Sequence, residues 1–154
     1  MEQSSGTVTI IHGSGTLEVP QDAVMQFTTP MMGFGHTEYA LLPAARRGLW
    51  WFIATGDEPT TFVLADPFVA IADYEVDLND AEREELALHD ERDALALVLL
   101  VMPAVAGERV TGNFRAPLVF NLADRKVKQV VNRDERYGLS ETVDLSRYEL
   151  SDGA

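Results

Sequence analysis

Three histidines are the residues of this 154-residue chain whose type most often carries acid–base or metal chemistry. His12, His36 and His89 lie far apart, without the i, i+4 spacing that puts two metal ligands on one helix face. The chain has no cysteine, which excludes disulfides, thiolate catalysis and cysteine-based metal sites. Neither a GxSxG nucleophile string nor a GxxxxGK[ST] phosphate loop occurs. These residue types predict a protein that is not an enzyme and uses no metal or cofactor.

Acidic residues are the other candidates, and they concentrate in one segment. Residues 73–93 carry ten acids against two bases, which is −8 of the chain's net charge of −13. Asp73, Glu75 and Asp77 alternate, so an extended stretch would place their side chains on one face. Two interpretations stay open at this point: a solvated face that also blunts a sheet edge, and a docking surface for a basic protein partner.

The overall composition excludes several functional classes. Twelve bases against twenty-five acids argue against direct binding of nucleic acid, which requires an excess of positive charge. The longest apolar run, 94–106, is interrupted by Pro103 and falls short of the roughly 20 residues that span a bilayer. The first ten residues lack the pattern of a secretory signal. We therefore expect a cytoplasmic protein without membrane contact, monomeric when free and forming one domain over residues 1–154.

The elements that must position these side chains are predicted to be mainly strands. Aromatic, β-branched and leucine-rich runs end at turn residues and indicate about eight or nine strands, drawn from 7–11, 16–19, 22–27, 39–42, 49–55, 61–65, 94–102, 110–115, 118–122 and 126–131. Asn79 and Glu82 have the spacing of a capping box, which predicts one short helix near residues 80–86. The pattern indicates a small antiparallel β-barrel-like or two-sheet fold, with a core over about 7–137 and a loosely held polar tail, 138–154.

Ordered motifs along the chain match a known family. They are PMMGF (30–34), YALLP (39–43), WWFIATGDEPTTFVLADPF (50–68), DYEVDL (73–78), LVLLVMP (97–103) and TGNFRAPLVFNLADRKVKQVV (111–131). Together they resemble the FliW family of flagellar assembly factors over about residues 7–137. The resemblance implies a non-enzymatic protein that binds flagellin and, alternatively, binds and antagonises the RNA-binding translational regulator CsrA. Flagellin synthesis would then follow flagellin secretion.

The acidic segment and the resemblance together predict where partners bind. We expect the acids Asp73, Glu75 and Asp77, with part of 82–85, to dock the basic regulator. An adjoining apolar patch is predicted from Phe62, Asp66, Pro67, Phe68 and Tyr74. Separately, Trp50 and Trp51 are adjacent in a predicted strand, so they must point to opposite faces and one lies away from the main core.

Two other classes of function remain open from the sequence. A small-molecule-binding β-barrel would need polar groups among its inward-facing positions, whereas the predicted strands are filled with Val, Leu, Phe and Ile. An acidic protein-interaction domain without a flagellar role is the second alternative.

Overall fold

Strands dominate the computed structural model, which describes residues 6–12, 15–31, 35–56, 60–105 and 107–149. The strands are β1 Thr7–His12, β2 Gly15–Pro20, β3 Val24–Phe27, β4 Glu38–Pro43, β5 Leu49–Ala54, β6 Thr61–Ala65, β7 Ala94–Val101, β8 Thr111–Gly112, β9 Leu118–Asn121, β10 Lys126–Gln129 and β11 Glu141–Thr142. The α-helices are α1 Pro67–Ala70 and α2 Asp80–Glu85. Part of the PMMGF motif, residues 32–34, and the last five residues of the predicted tail lie outside the described residues.

Seven strands close into a barrel in the order β7-β6-β5-β4-β3-β10-β9, with β9 returning to β7. The long strand β7 closes it, because residues 94–97 pair with β9 while 98–100 pair with β6. Closure leaves these seven strands without a free edge. The prediction of a mainly β, barrel-like fold is confirmed. Its antiparallel pairing has one exception, since β3 and β10 run parallel.

The barrel interior is apolar and contains stacked aromatic rings. Tyr39 and Phe52 stack at 4.6 Å between ring centroids, and Phe27 and Phe120 meet Phe52 edge-on. Leucine, methionine and valine side chains fill the remaining space. Among the described residues, the Tyr39 hydroxyl is the one buried side-chain polar atom without a hydrogen-bond partner. An interior of this kind lacks the convergent polar groups that the small-molecule alternative requires.

Three layers cover the outside of the barrel. The hairpin β1–β2 packs Ile10 and Val19 against Ala40 and Ile53 of β4 and β5. Residues on both sides of α2, among them Leu78 and Leu86, pack on Val119 of β9 and on Val130, which follows β10. The adjacent tryptophans behave as predicted: Trp50 packs partly buried against the interior cluster, whereas Trp51 is 44% exposed on the outer face.

The third layer is the C-terminal segment, and it corrects the prediction of a loosely held tail. Val143 and Tyr148 are buried against the outer faces of β5, β6 and β7. Strand β11 pairs with β8, and the Tyr148 hydroxyl donates a 2.7 Å hydrogen bond to the carbonyl of Asp66. The buried side chains of Val143 and Tyr148, the β11–β8 pairing and the Tyr148 hydrogen bond together hold residues up to 149 on the barrel.

Element boundaries differ from the predictions at several places, and the eleven strands of the described residues, which include the unpredicted β11, exceed the predicted eight or nine. The extended stretch predicted over 110–115 reduces to the two-residue β8, because the Phe114 amide turns away to bond the carbonyl of Gly138. Helix α1 was not predicted, although its signals were present in the sequence. Asp66 accepts a hydrogen bond from the Phe68 amide as N-cap, and Pro67 occupies the first turn.

Candidate functional site

Residues 73–93, called the acidic segment from here on, wrap around the outside of the barrel between α1 and β7. Within the described residues, its first half runs extended without joining any sheet, and α2 follows. Tyr74 is buried, while the Asp73 and Glu75 side chains on either side are 83% and 81% exposed. The expected alternation is therefore present in the structure, with acids facing solvent and an aromatic ring facing the protein.

Asn132 holds the extended half in place, and it is fully buried. Its side-chain carbonyl accepts from the Asp77 amide at 2.8 Å, and its amide group donates to the Tyr74 hydroxyl at 3.0 Å and to the Glu75 carbonyl at 3.2 Å. The Tyr74 hydroxyl in turn donates to the carbonyl of Phe114 at 2.6 Å. Burial raises the pKa of Tyr74, which keeps it a neutral donor. The sequence did not predict this role of Asn132, because no motif around it indicates a buried side-chain amide.

Tyr137 makes a second connection to the same stretch. Its hydroxyl accepts from the Glu75 amide at 2.9 Å and from Arg136 Nη2, also at 2.9 Å. The ring packs on Tyr74 with 4.6 Å between centroids. Backbone groups that in a strand would bond a neighbouring strand are here bonded by two side chains.

Two arginines face the three predicted docking acids. Arg133 binds Asp77 through two hydrogen bonds of 2.8 and 3.1 Å, and this contact lowers the pKa of the Asp77 carboxyl. Arg136 lies 3.8 Å from both Asp73 and Glu75 while bonding Asp134 at 2.8 Å. Asp77 is thus engaged by a bidentate partner, whereas Asp73 and Glu75 keep most of their surface open to a ligand.

Helix α2 carries the second group of acids, and these acids have different roles: one caps the helix, one anchors it to the barrel and one is exposed. The predicted capping box is present, with Asn79 and Glu82 bonding each other's backbone amides. Glu85 Oε2 accepts from the hydroxyls of Thr28 and Thr29 at 2.6 and 2.7 Å, and Lys128 lies 3.3 Å from Oε1. Glu85 therefore anchors the helix to the barrel. By contrast, Glu84 is exposed and forms no ion pair within the described part of the chain.

A second buried asparagine fixes the end of this helix. Asn121 of β9 donates from Nδ2 to the carbonyls of Leu86 and Ala87 at 2.8 and 3.0 Å. Leu86 is the C-cap of α2 and Ala87 follows it, so neither carbonyl has a partner inside the helix. Ala87 lies in the left-handed region at φ 55°, where the chain leaves the helix.

The predicted apolar patch does not form one exposed surface. Phe62 packs partly buried against the barrel interior, and Asp66 caps α1. Pro67 and Tyr74 are buried. Phe68 is the exposed member, at 48%, and its ring meets Tyr74 edge-on at 5.7 Å.

A groove of about 460 Å3 opens instead between α1 and α2, and polar and apolar groups line it in similar measure. The apolar side chains that line it come from α1, from the residues that flank α2 and from strand β7. They include Phe68, Val76, Leu78, Leu88, Ala94 and Ala96. Arg83, His89, Asp90 and Glu91 supply its polar rim. The acidic segment contributes seven of the twelve lining residues, and Asp90 and Glu91 are the acids among them. Glu75 and Asp77 line a separate depression.

Two absences among the described residues concern other kinds of site. Across 6–12, 15–31, 35–56, 60–105 and 107–149, no three His, Cys, Asp or Glu side chains converge to hold a metal ion. Over the same residues, no helix has the length and apolar character needed to cross a membrane.

Comparison with known proteins decides the family. The sequence pattern of the family described as FliW protein matches residues 11–143. The chain belongs to the FliW family. Flagellar assembly factor FliW of Syntrophus aciditrophicus is 33% identical over 125 residues, covering 80% of this chain and 78% of the relative. The corresponding protein of Pseudothermotoga lettingae is 28% identical over 130 residues, covering 84% and 83%. A crystal structure of the flagellar assembly factor FliW superposes with a TM-score of 0.75 at 27% identity, covering 89% of this chain and 96% of that one.

The family match agrees with the resemblance seen in the motifs, beginning at residue 11 and extending further toward the C-terminus. The motifs indicated FliW-like sequence over about 7–137, whereas the family pattern reaches residue 143. That end coincides with Val143, which is buried on the barrel wall. The FliW family is a family of flagellar assembly factors, and the fold, the acidic segment and the groove are the features of this member from which a function must be argued.

Proposed function

We propose that this FliW-family chain binds flagellin and, alternatively, binds and antagonises the RNA-binding regulator CsrA, coupling flagellin translation to secretion. One observation carries the proposal: within a family of flagellar assembly factors, this chain gathers −8 of its −13 charge into one segment held rigidly on the barrel. The proposed setting is the cytoplasm, where translation occurs, and the protein touches the regulator rather than RNA.

Electrostatics supplies the physical reason for this partner. A protein that binds mRNA neutralises phosphates with lysine and arginine, so it presents a basic surface. An acidic surface on its antagonist raises the rate of encounter and orients the approach. Asp73, Glu75 and Glu84 are exposed and suited to this role. Asn132 and Tyr137 fix the segment before binding, which reduces the entropy lost on association.

The regulatory step requires no chemistry on either partner. If flagellin and the regulator exclude each other on one protein, each weakens the binding of the other by the same factor. Export of flagellin then frees the factor to sequester the regulator.

Charge reversal tests the docking surface. The variant Asp73→Lys, Glu75→Lys, Glu84→Lys leaves the Arg133–Asp77 pair and the Glu85 anchor intact. A matched control, Glu18→Lys, Glu108→Lys, Asp124→Lys, makes the same change in net charge at exposed acids outside the acidic segment. Stopped-flow or biosensor kinetics with purified CsrA should show an association rate about tenfold lower at low salt for the first variant, with a flatter salt dependence.

The control and a competition experiment decide the outcome. The control variant should change the association rate much less, and equal losses in both variants would contradict a localised docking surface. Flagellin should displace CsrA from the unsubstituted protein in a titration. A stable ternary complex would refute the alternative-partner mechanism, and binding of neither protein would remove the proposed function.

A further inference from the structure

Strand β10 continues past the end of its pairing with β3. That pairing covers two residue pairs and ends at Val127. The amides of β3 and of the residue after it donate in steps of two, from Gln26 to the carbonyl of Arg125 and from Thr28 to the carbonyl of Val127. The next donor in this series would be Pro30, which has no N–H. The ladder therefore stops two residues before β10 ends.

Beyond that point one side of the extended chain is unpaired. The amides of Val130 and Asn132 donate, at 3.0 and 2.7 Å, to carbonyls of the segment that leads into β9. Backbone groups alternate in direction along an extended chain, so those of Gln129 and Val131 point to the opposite side. On that side, no backbone hydrogen bond joins them to the described residues that follow β3. Past the closed part of the barrel, this short stretch presents a free strand edge.

A cleft of about 450 Å3 lies along this edge. We call it the β10 cleft, and it is lined by Thr29, Pro30, Asn113, Ala116, Lys128, Gln129 and Val131. Its surface is more apolar than polar, and Val131 is 61% exposed. Among these lining residues Lys128 carries the one charge, and it is paired with Glu85 at 3.3 Å. The cleft therefore offers main-chain hydrogen-bonding groups and apolar contacts, with its charge already neutralised.

These features select an extended, uncharged polypeptide segment as the occupant. In strand addition, an open edge supplies main-chain hydrogen bonds and the adjoining side chains supply selectivity. A charged segment would lose hydration in a cleft whose lysine already has a partner. A second copy of this chain is disfavoured, because each copy carries a net charge of −13.

We propose that the β10 cleft binds an extended, uncharged segment of a partner polypeptide, which adds to β10 as a short strand. The Gln129 carbonyl and the amides of Gln129 and Val131 bond its main chain, while Pro30 and Ala116 contact its small apolar side chains. The inference goes beyond the proposed function, because the acidic segment takes no part in this contact. Binding here should be insensitive to salt, whereas docking on the acidic segment should weaken as salt is added.

A peptide probe tests the main-chain hydrogen bonds directly. The probe is a hexapeptide of alternating threonine and valine, capped at both ends, added to the isotopically labelled full chain. We expect saturable binding that slows hydrogen exchange of the Gln129 and Val131 amides about tenfold or more, with exchange in β4 and β5 unchanged. An analogue of the probe that is methylated at every peptide nitrogen keeps the side chains but cannot donate, and it should bind about tenfold more weakly or worse.

A pair of variants tests the same bonds from the side of the protein. Val131→Pro removes the Val131 N–H, whereas the matched control Val131→Ala keeps it. The affinity for the probe should fall about tenfold in the proline variant and clearly less in the alanine variant. Thermal unfolding of both checks that the barrel is intact. If the proline variant does not fold, the methylated probe still decides, because it leaves the protein unchanged.

Several outcomes would overturn the inference. Equal binding of the methylated and unmethylated probes is one, and equal binding by a folded Val131→Pro protein is another. Saturation without protection of the Gln129 and Val131 amides, no binding up to the solubility limit of the probe, or an affinity that falls steeply with salt would each do the same. Protection that grows with protein concentration in the absence of probe, together with a dimer in sedimentation, would assign the edge to a second copy instead. The probe is neither flagellin nor the regulator, so failure here leaves the proposed function standing.

Discussion

The barrel interior is held by apolar burial, whereas the acidic segment adds directional hydrogen bonds to the apolar contacts of Tyr74, Leu86 and Leu88. The interior is a closed ladder filled with apolar side chains such as Phe52 and Leu64. The acidic segment has no strand partner within the described residues, and its backbone is bonded by Asn121, Asn132 and Tyr137. Those two asparagines are the buried side chains among the described residues that carry amide or charged groups. Burial of many apolar groups thus builds the scaffold, and a few directional hydrogen bonds shape the surface that binds.

Because of this difference, mutations in the two regions should have distinguishable effects on stability. Loss of an interior ring lowers the free energy of unfolding of the whole barrel, because every strand shares that core. Loss of one asparagine should release a stretch of surface while leaving the ladder closed. Function can then fail without global unfolding.

The largest effect is expected for Phe52→Ala. Phe52 is fully buried between Tyr39 and Phe120, so truncation should lower the free energy of unfolding by about 3–5 kcal/mol. Denaturant unfolding followed by tryptophan fluorescence and far-UV circular dichroism measures it. The control Trp51→Ala removes the neighbouring ring on the exposed face and should cost about 1 kcal/mol or less. Similar losses at both positions would contradict the assignment of interior and exterior faces.

A smaller but more local effect is expected for Asn132→Ala. The Asp77 amide and the Tyr74 hydroxyl each lose a bond to Asn132, which should cost about 1–3 kcal/mol. Hydrogen exchange should accelerate at the Asp77 amide, while amides of β4 and β5 keep their protection. Binding of CsrA should weaken, because the acids no longer hold one conformation.

The outcome of Asn132→Asp sharpens this prediction. Aspartate can still accept from the Asp77 amide, but it loses the donor group and puts negative charge beside the carbonyls of Glu75 and Phe114. It should therefore be at least as destabilising as the alanine variant. Uniform loss of protection across the barrel in either variant would show that the two regions unfold as one unit.

The same contrast explains what could be read from the sequence. Strands such as β5 and β6 and the capping box of α2 follow from local patterns, which is why their positions were predicted closely. The return of β9 to β7 and the parallel pairing of β3 with β10 join distant segments, and no local period encodes them.

The candidate site was predicted in part for the same reason. Acidic side chains are visible in a sequence as a concentration of charge, and the alternation of Asp73, Glu75 and Asp77 predicted that these acids share one face. The arginines that face these acids, and the buried Asn132, come from more than fifty residues away. The burial of Pro67 and Tyr74 likewise depends on packing that only the folded chain provides.

The smallest predicted effect concerns pH and the anchor of α2. Hydrogen bonds from Thr28 and Thr29, together with Lys128, lower the pKa of Glu85 below its ordinary value of 4.5. A carboxyl whose pKa is lower in the folded protein than in the unfolded chain contributes its full stabilisation at any pH above its pKa in the unfolded chain. This stabilisation is lost as the pH falls through the lower pKa of the folded protein. Because Glu85 is partly exposed, its contribution to the free energy of unfolding should be less than about 1 kcal/mol.

The free energies of unfolding of Glu85→Gln and of the unsubstituted protein should therefore differ at pH 7 and converge toward pH 3. The control Glu84→Gln, at an exposed position, should differ little from the unsubstituted protein at either pH. A difference in the free energy of unfolding that grows as the pH falls would contradict the assignment of Glu85 as the charged side chain that anchors α2 to the barrel.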